Sequence, residues 1–206
     1  MNTLTANDPR QLFATAATTA GDVIATIHDD ELGLPTPCDG FDVAGMLGHL
    51  EIVLHRVIAL AEGTDPMAMP ETVPTPADGW HANWLRWTDR VAAAWADPAK
   101  LDEIMTLPWA SGPGSALLAT YIAELTVHTW DLAHALGREV AWDDNVLAAG
   151  LASYERVLPE PNRDERFAAV REHMPAGWQP PFHNAVEVAA DAPAIDRIVA
   201  WTGRRP

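Results

Sequence analysis

Two long apolar stretches decide most of what this chain can fold into. One is DVAGMLGHLEIVLHRVIALAEG, from Asp42 to Gly63; the other is SALLATYIAELTVHTWDLAHALG, from Ser115 to Gly137. Each repeats its large apolar residues at helical spacing, which predicts a helix with a broad buried face. Asp42 stands where it can cap the earlier helix, and Gly63 and Gly137 stand where they can end the two.

The rest of the chain reads as further helices set between breaks. Asp8, followed by Pro9, predicts the start of a helix running to about Asp30. Gly33, Pro35 and Pro37 then break the chain. A proline-rich loop holding Pro66, Pro70, Pro74 and Pro76 is long enough to be a crossover connection or a lid. A third helix is expected from Ala77 to Ala96, with Trp80, Trp84, Trp87 and Val91 on one stripe. LPWASGPGSA is expected to be an ordered turn or loop. Beyond Gly137 come a helix from Asp143 to Val157, a strand at Val186–Ala189 and a short helix from Ala194 to Trp201. There is no internal repeat and no low-complexity tract.

Long helices with no β-rich run predict an all-α helical bundle. With 48% hydrophobic residues in 206, a sizeable core can be buried. The expectation is one domain over 1–206, with a bundle core over about 8–140 and a C-terminal extension over about 141–206.

The net charge of −16 repels phosphate backbones and acidic lipid, so nucleic acid and membranes are excluded as expected partners. A single cysteine, Cys38, allows no intramolecular disulfide and suits a reducing compartment. MNTLTANDPRQLF lacks the basic and apolar regions of a signal peptide. No stretch reads as the roughly 20 apolar residues that span a bilayer. The expectation is a soluble, cytoplasmic protein.

Titratable groups among the leucines raise the question of function. On a helical wheel, His128 lies near the middle of the apolar face of its helix, in line with Leu117 and Tyr121. Glu124 is one turn before it, and Glu124 and Asp131 lie a little to one side. His49 faces the core of the earlier helix, with Arg56 two turns below. A lone charge in a core costs several kcal/mol unless it is paired or ligates a metal. Two imidazoles and a carboxylate give three protein ligands and a fourth position for water or substrate, as in catalytic zinc sites. A metal there lowers the pKa of a bound thiol or water. A Glu124–His128 hydrogen bond with a satisfied core histidine at His49 would use the same residues, and periodicity leaves both readings open.

Other residues carry paired readings. Asp131 either orients a ligating imidazole or pairs with an arginine. Arg56 either neutralises a carboxylate of a thiol or substrate, or snorkels to the bundle end. Cys38 precedes a helix N-terminus, as a nucleophile or as part of a structural turn. Trp80, Trp84 and Trp87 read as core, and Trp109 as a pocket wall. His55, His81, His134, His173 and His183 have no partner at ligand spacing and read as surface or loop histidines.

Two motifs carry a resemblance. TPCDGFDVAGMLGHL (Thr36 to Leu50) and ELTVHTWDLAHALG (Glu124 to Gly137) resemble, in order and separation, segments of the DinB-like superfamily in its branch with the mycothiol-dependent maleylpyruvate isomerase N-terminal domain. The chain's ending looks like the tail of short actinobacterial members. The resemblance implies a four-helix bundle with a long crossover connection. It implies a divalent metal, most often zinc, on His49, Glu124 and His128; nickel, iron or manganese would also suit these ligands. It further implies that the metal activates a low-molecular-weight thiol, mycothiol in actinobacteria, for S-transfer to a small electrophile or for thiol-assisted isomerisation. Homodimers occur among such relatives. Phe41 replaces the family's usual tryptophan. The isomerase itself carries a C-terminal domain that is not evident after Gly137, which favours the broader thiol-transfer reading over isomerisation of maleylpyruvate. The rival is a non-catalytic metal- or small-ligand-binding helical module.

Overall fold

The computed structural model describes residues 7–171 and 180–206. The expected histidine at His173 and the first six residues lie outside the described part. The described residues form α1 (Pro9–Ile24), α2 (Val43–Glu62), α3 (Trp80–Ala94), β1 (Ile104–Leu107), β2 (Ala110–Pro113), α4 (Gly114–Leu136), α5 (Asp144–Val157), α6 (Arg163–Arg171) and α7 (Ala194–Trp201).

Local chemistry sets these bounds. Asp8 accepts from the Arg10 N–H, with Pro9 in the first helical turn. Asp42 accepts from the Gly45 N–H at 2.7 Å and opens α2. Gly63 and Gly137 close α2 and α4 with φ of 70° and 62°, the left-handed region that glycine enters without a Cβ clash. α1 is shorter than expected. Past Ile24, a 3-10 turn at Asp29–Glu31 takes over, closed by Glu31 accepting from the His28 N–H. α3 also starts late, at Trp80, because Gly79 before it has a φ of 84°.

The packing is cyclic. α1 lies on α4, α4 on α2, α2 on α3, and α3 on α1, and the largest apolar cluster fills the space between them. Indole donors tie the ring: Trp84 Nε1 donates to the Ala17 carbonyl at 2.9 Å and Trp95 Nε1 to the Val57 carbonyl at 3.0 Å. α5 covers α4 from outside, and α7 covers α5. A second cluster there joins Ala123, Val127 and Trp130 to Tyr154, Ile198 and Val199. α2 is itself long and apolar enough to cross a membrane, with a mean hydropathy of 1.5 over an 18-residue window, contrary to expectation. Its burial in the ring accounts for that apolarity.

Three further differences from the sequence reading have local causes. The fold is mostly helical but not purely so. Of LPWASGPGSA, Leu107 to Pro113 belongs to an antiparallel hairpin in which Met105 pairs with Gly112 and Leu107 with Ala110, and Gly114 already opens α4. Met105 and Leu107 point inward, while Ile104 and Thr106 point out. Val186–Ala189 is not a strand. That segment instead runs beside the end of α7, with the Val186 N–H donating to the Ala200 carbonyl at 2.9 Å. α6 forms between Pro161 and Pro175, where no element was expected.

The proline-rich connection lies across α2. Thr72 Oγ1 donates to the Gly45 carbonyl at 3.2 Å. A Cβ on Gly48 would fall on the Thr72 hydroxyl and the Val73 carbonyl, so this close approach requires glycine.

Candidate metal centre

α2 and α4 bring three acceptor groups to one point. His49 and His128 are 9% and 7% exposed. His49 Nε2 lies 3.3 Å from Glu124 Oε1, and Glu124 keeps 19% of its side chain exposed. The two imidazole rings meet edge to face, with centroids 5.0 Å apart. One ligand atom from each of the three residues lies within 4.8 Å of the others.

The outer contacts decide which nitrogens are free. His49 Nδ1 lies 3.1 Å from the Glu71 carbonyl, which can only accept, so Nδ1 carries the proton. His128 Nδ1 lies 2.9 Å from Asp131 Oδ2. Burial works to raise the Asp131 pKa, but Arg204 and His128 outweigh it and hold the carboxyl below its usual range. Asp131 is therefore an acceptor, and His128 Nδ1 donates to it. In both histidines Nε2 is thus the nitrogen left for the site, and that of His49 is turned to Glu124. Burial, His49 and Arg204 depress the His128 pKa against the opposing pull of Asp131, so its ring is neutral. Glu124 is an anion, because His49, His128 and Arg56 overcome the raising effect of burial.

Two imidazoles and a carboxylate thus face one another, each with one ligand atom near the others. A proton on His49 Nε2 would serve the Glu124 contact but leave His128 without a partner. A divalent cation serves all three. Zinc bonds of about 2.1 Å place neighbouring tetrahedral ligands ~3.4 Å apart, and the His49–Glu124 separation of 3.3 Å fits. These ligands suit zinc, nickel, iron or manganese.

Behind His128 stands Arg204. Its Nε donates to Asp131 Oδ1 at 2.7 Å, its Nη2 to Oδ2 at 2.8 Å, and its Nη1 to Thr202 Oγ1 at 3.1 Å. Asp131 therefore fills both roles foreseen for it: it orients the imidazole and pairs with an arginine. Cys38, His128 and Asp131 also come within 4.8 Å of one another. The Arg204 fork and the His128 Nδ1 bond already engage that carboxylate. Burial pushes the Cys38 thiol up to about 11, so it stays protonated. Its backbone N–H donates to Thr36 Oγ1 at 3.3 Å, which makes it part of a turn. A cavity of about 340 Å³ borders this turn, with Cys38, Asp39, His183 and Arg204 among its walls.

The remaining expectations divide. Trp84 is buried, and it lines with Trp80 and Trp87 a void of about 10 Å³ beside Glu51 and Asn83, so all three belong to the core. Trp109 stands at the hairpin turn, 45% exposed. His55 has partners after all, 3.9 Å from the Trp87 ring and 3.6 Å from Glu51 Oε1. His183 pairs with Asp164 at 2.8 Å and Asp39 at 3.3 Å, and His134 rests on Trp130. His81 is exposed. None of these histidines reaches the three acceptors. The Arg56 Nε is buried without a hydrogen-bond partner. Sequence reasoning missed Arg204 and the Glu71 carbonyl. A buried Asp131 signals that some cation must exist, but nothing local says which.

Residues 13–133 match the mycothiol maleylpyruvate isomerase N-terminal domain. Two uncharacterized proteins of Mycobacterium tuberculosis, from strains CDC 1551 / Oshkosh and ATCC 25618 / H37Rv, are each 23% identical over 197 residues, covering 96% of this chain and 98% of theirs. No solved structure is a significant match. The matched span contains His49, Glu124, His128 and Asp131, while Arg204 lies beyond it. With more than half its length in that match, the chain belongs to the mycothiol maleylpyruvate isomerase N-terminal domain family.

Proposed function

We propose that this protein is a metal-dependent thiol transferase-like member of its family. On this reading α1 to α4 make a DinB-like four-helix bundle with the 64–79 connection as its crossover, and α5 to α7 are a C-terminal extension. His49, Glu124 and His128 hold a divalent cation, zinc by preference. A low-molecular-weight thiol such as mycothiol and a small electrophile are the substrates. The observation that carries this reading is the meeting of two imidazoles and a carboxylate, with both Nδ1 atoms engaged outward so that Nε2 of each ring is the nitrogen left for a ligand.

A bound zinc ion supplies a Lewis acid that keeps a coordinated thiol as its thiolate near neutral pH. The chain supplies the rest. The Glu71 carbonyl and Asp131 fix the two imidazoles in orientation and tautomer. Arg204 keeps Asp131 ionised. The apolar faces of α2 and α4 exclude water from the sides of the site.

Elemental analysis of untagged protein beside His128→Ala tests the metal. About one equivalent of metal in the parent and its loss in the variant are expected. Cobalt-substituted protein then tests the chemistry. A spectral change on adding thiol supports transfer, whereas a cobalt spectrum indifferent to thiols leaves a non-catalytic metal-binding module.

A further inference from the structure

Seven buried side-chain nitrogens and oxygens have no hydrogen-bond partner among the described residues, and three of them are donors on the helices around the centre: the hydroxyls of Tyr121 and Tyr154, and the Nε of Arg56. Tyr121 is 0% exposed and Tyr154 is 4% exposed. Their positions in the fold relate them to the centre. Tyr121 is on α4, two turns before His128 and on the same face. Arg56 is on α2, two turns after His49 and on the same face. Tyr154 comes from α5, which packs on α4 from beyond the residues matched to the family.

The charges agree with this placement. Of the charges acting on each tyrosine hydroxyl, that of Glu124 acts most strongly. Arg56 in turn helps to hold Glu124 ionised. Burial, followed by Glu124, drives both phenols upward, so each remains an O–H donor. Neither hydroxyl reaches Glu124 as a hydrogen bond. Buried donors without partners are rare, and phenylalanine would pack at either position without leaving one unmet. Two neutral donors and a cation, with no acceptor among them, call for a ligand that brings acceptors and negative charge.

We infer that Tyr121, Tyr154 and Arg56 form an oxyanion-binding side of the centre, receiving the acceptor oxygens of a small anionic ligand held beside the cation of His49, Glu124 and His128. The inference rests on the metal-binding reading, and it adds the class of ligand and a tyrosine from outside the family domain.

The test uses cobalt-loaded full-length protein titrated with acetate and, separately, with imidazole, which binds cobalt but offers no oxyanion. Tyr121→Phe, Tyr154→Phe and Arg56→Gln are compared with the parent; Arg56 is only half-buried, so its change spares the core. The expected result is unchanged cobalt content and imidazole affinity in the two tyrosine variants, with acetate affinity falling about 10-fold or more in all three. Equal acetate affinity in parent and variants, or a cobalt-loaded parent that takes imidazole but no acetate, overturns the inference and leaves the metal site standing. A parent that takes up no cobalt overturns the metal-binding reading itself, and this inference with it.

Discussion

Arg204 grips both oxygens of Asp131, at 2.7 and 2.8 Å, from 73 residues further along the chain. The same carboxylate holds His128 Nδ1 at 2.9 Å. One fork thus connects the tail after α7 to a candidate metal ligand on α4. Removing the arginine leaves a fully buried carboxylate without its counter-ion. Arg204→Ala should cost about 3–5 kcal/mol of stability, read by urea denaturation. Metal affinity should fall about 10–100-fold, read by competition with a chelator, because the imidazole loses its fixed orientation.

Acid should weaken the metal-free protein, and alkali near neutrality should not. His128, Glu124 and Asp131 are all depressed from ordinary values of 6.5, 4.5 and 3.8. In each case the unfolded chain binds protons more readily than the folded one, so stability is complete above the unfolded value and lost as pH falls. Tm should therefore hold steady from pH 8 to about 7, decline from about 6.5 as His128 begins to matter, and decline faster below about 4.5. Thermal melts across that range check the order; a Tm that rises on acidification to about 5 would contradict it.

Gly48 is the point where the connection crosses α2. Gly48→Ala drives its Cβ into the Thr72 hydroxyl and the Val73 carbonyl, beside the Glu71 carbonyl that orients His49. The expected loss is about 1–3 kcal/mol of stability. Metal affinity should weaken as well, because the 71–73 segment must lift. Calorimetric titration with zinc reads the second effect. Gly45→Ala is a milder comparison, since the atoms nearest its Cβ, at 3.2 Å, belong to the side chains of Asp42 and Phe41 and not to backbone.

Cys38 belongs to one of the two groups of candidate ligand atoms that share His128. With its thiol raised to about 11, it should react slowly with thiol reagents at pH 7 in the folded state and quickly after denaturation. Cys38→Ser should keep the full metal content. Loss of metal in that variant would move the site from Glu124 and His49 toward Cys38 and Asp131.

Glu51 lies between α2 and α3 and accepts from Asn83 Nδ2. Burial raises its pKa above 4.5, against the lowering pull of Asn83, Trp87 and Arg86. A raised carboxyl contributes stability below its unfolded pKa and loses it as pH climbs. Glu51→Gln should therefore raise Tm at pH 7, by ~2–4 °C for each kcal/mol gained, and give little or no gain at pH 4.

The parts of the fold legible in the sequence were those set by near neighbours. Asp42, Gly63 and Gly137 mark helix ends through contacts within a few residues. The inward turn of His49, Glu124 and His128 follows from helical periodicity alone. The hairpin was not legible, because each strand has four residues and its turn, Pro108–Trp109, lacks the usual Asn-Gly or Asp-Gly signal. Val186–Ala189 carried strand-like composition, yet the segment lies against α7. Arg204 was invisible as a site residue because its partner is distant in sequence and its own neighbours, Gly203 and Arg205, carry no pattern. Glu71 contributes only a backbone carbonyl, and side-chain reasoning does not see that.

The ligands' places along the chain also set when they become available during folding. Glu124 and His128 are one turn apart, so α4 presents both as soon as it is helical. His49 joins when α2 docks, and its ring is steadied when the 71–73 segment settles over Gly48. Arg204 must also reach back from the tail to Asp131. A cation on these groups would therefore need the helices already assembled, unlike small zinc modules whose clustered ligands let metal start folding.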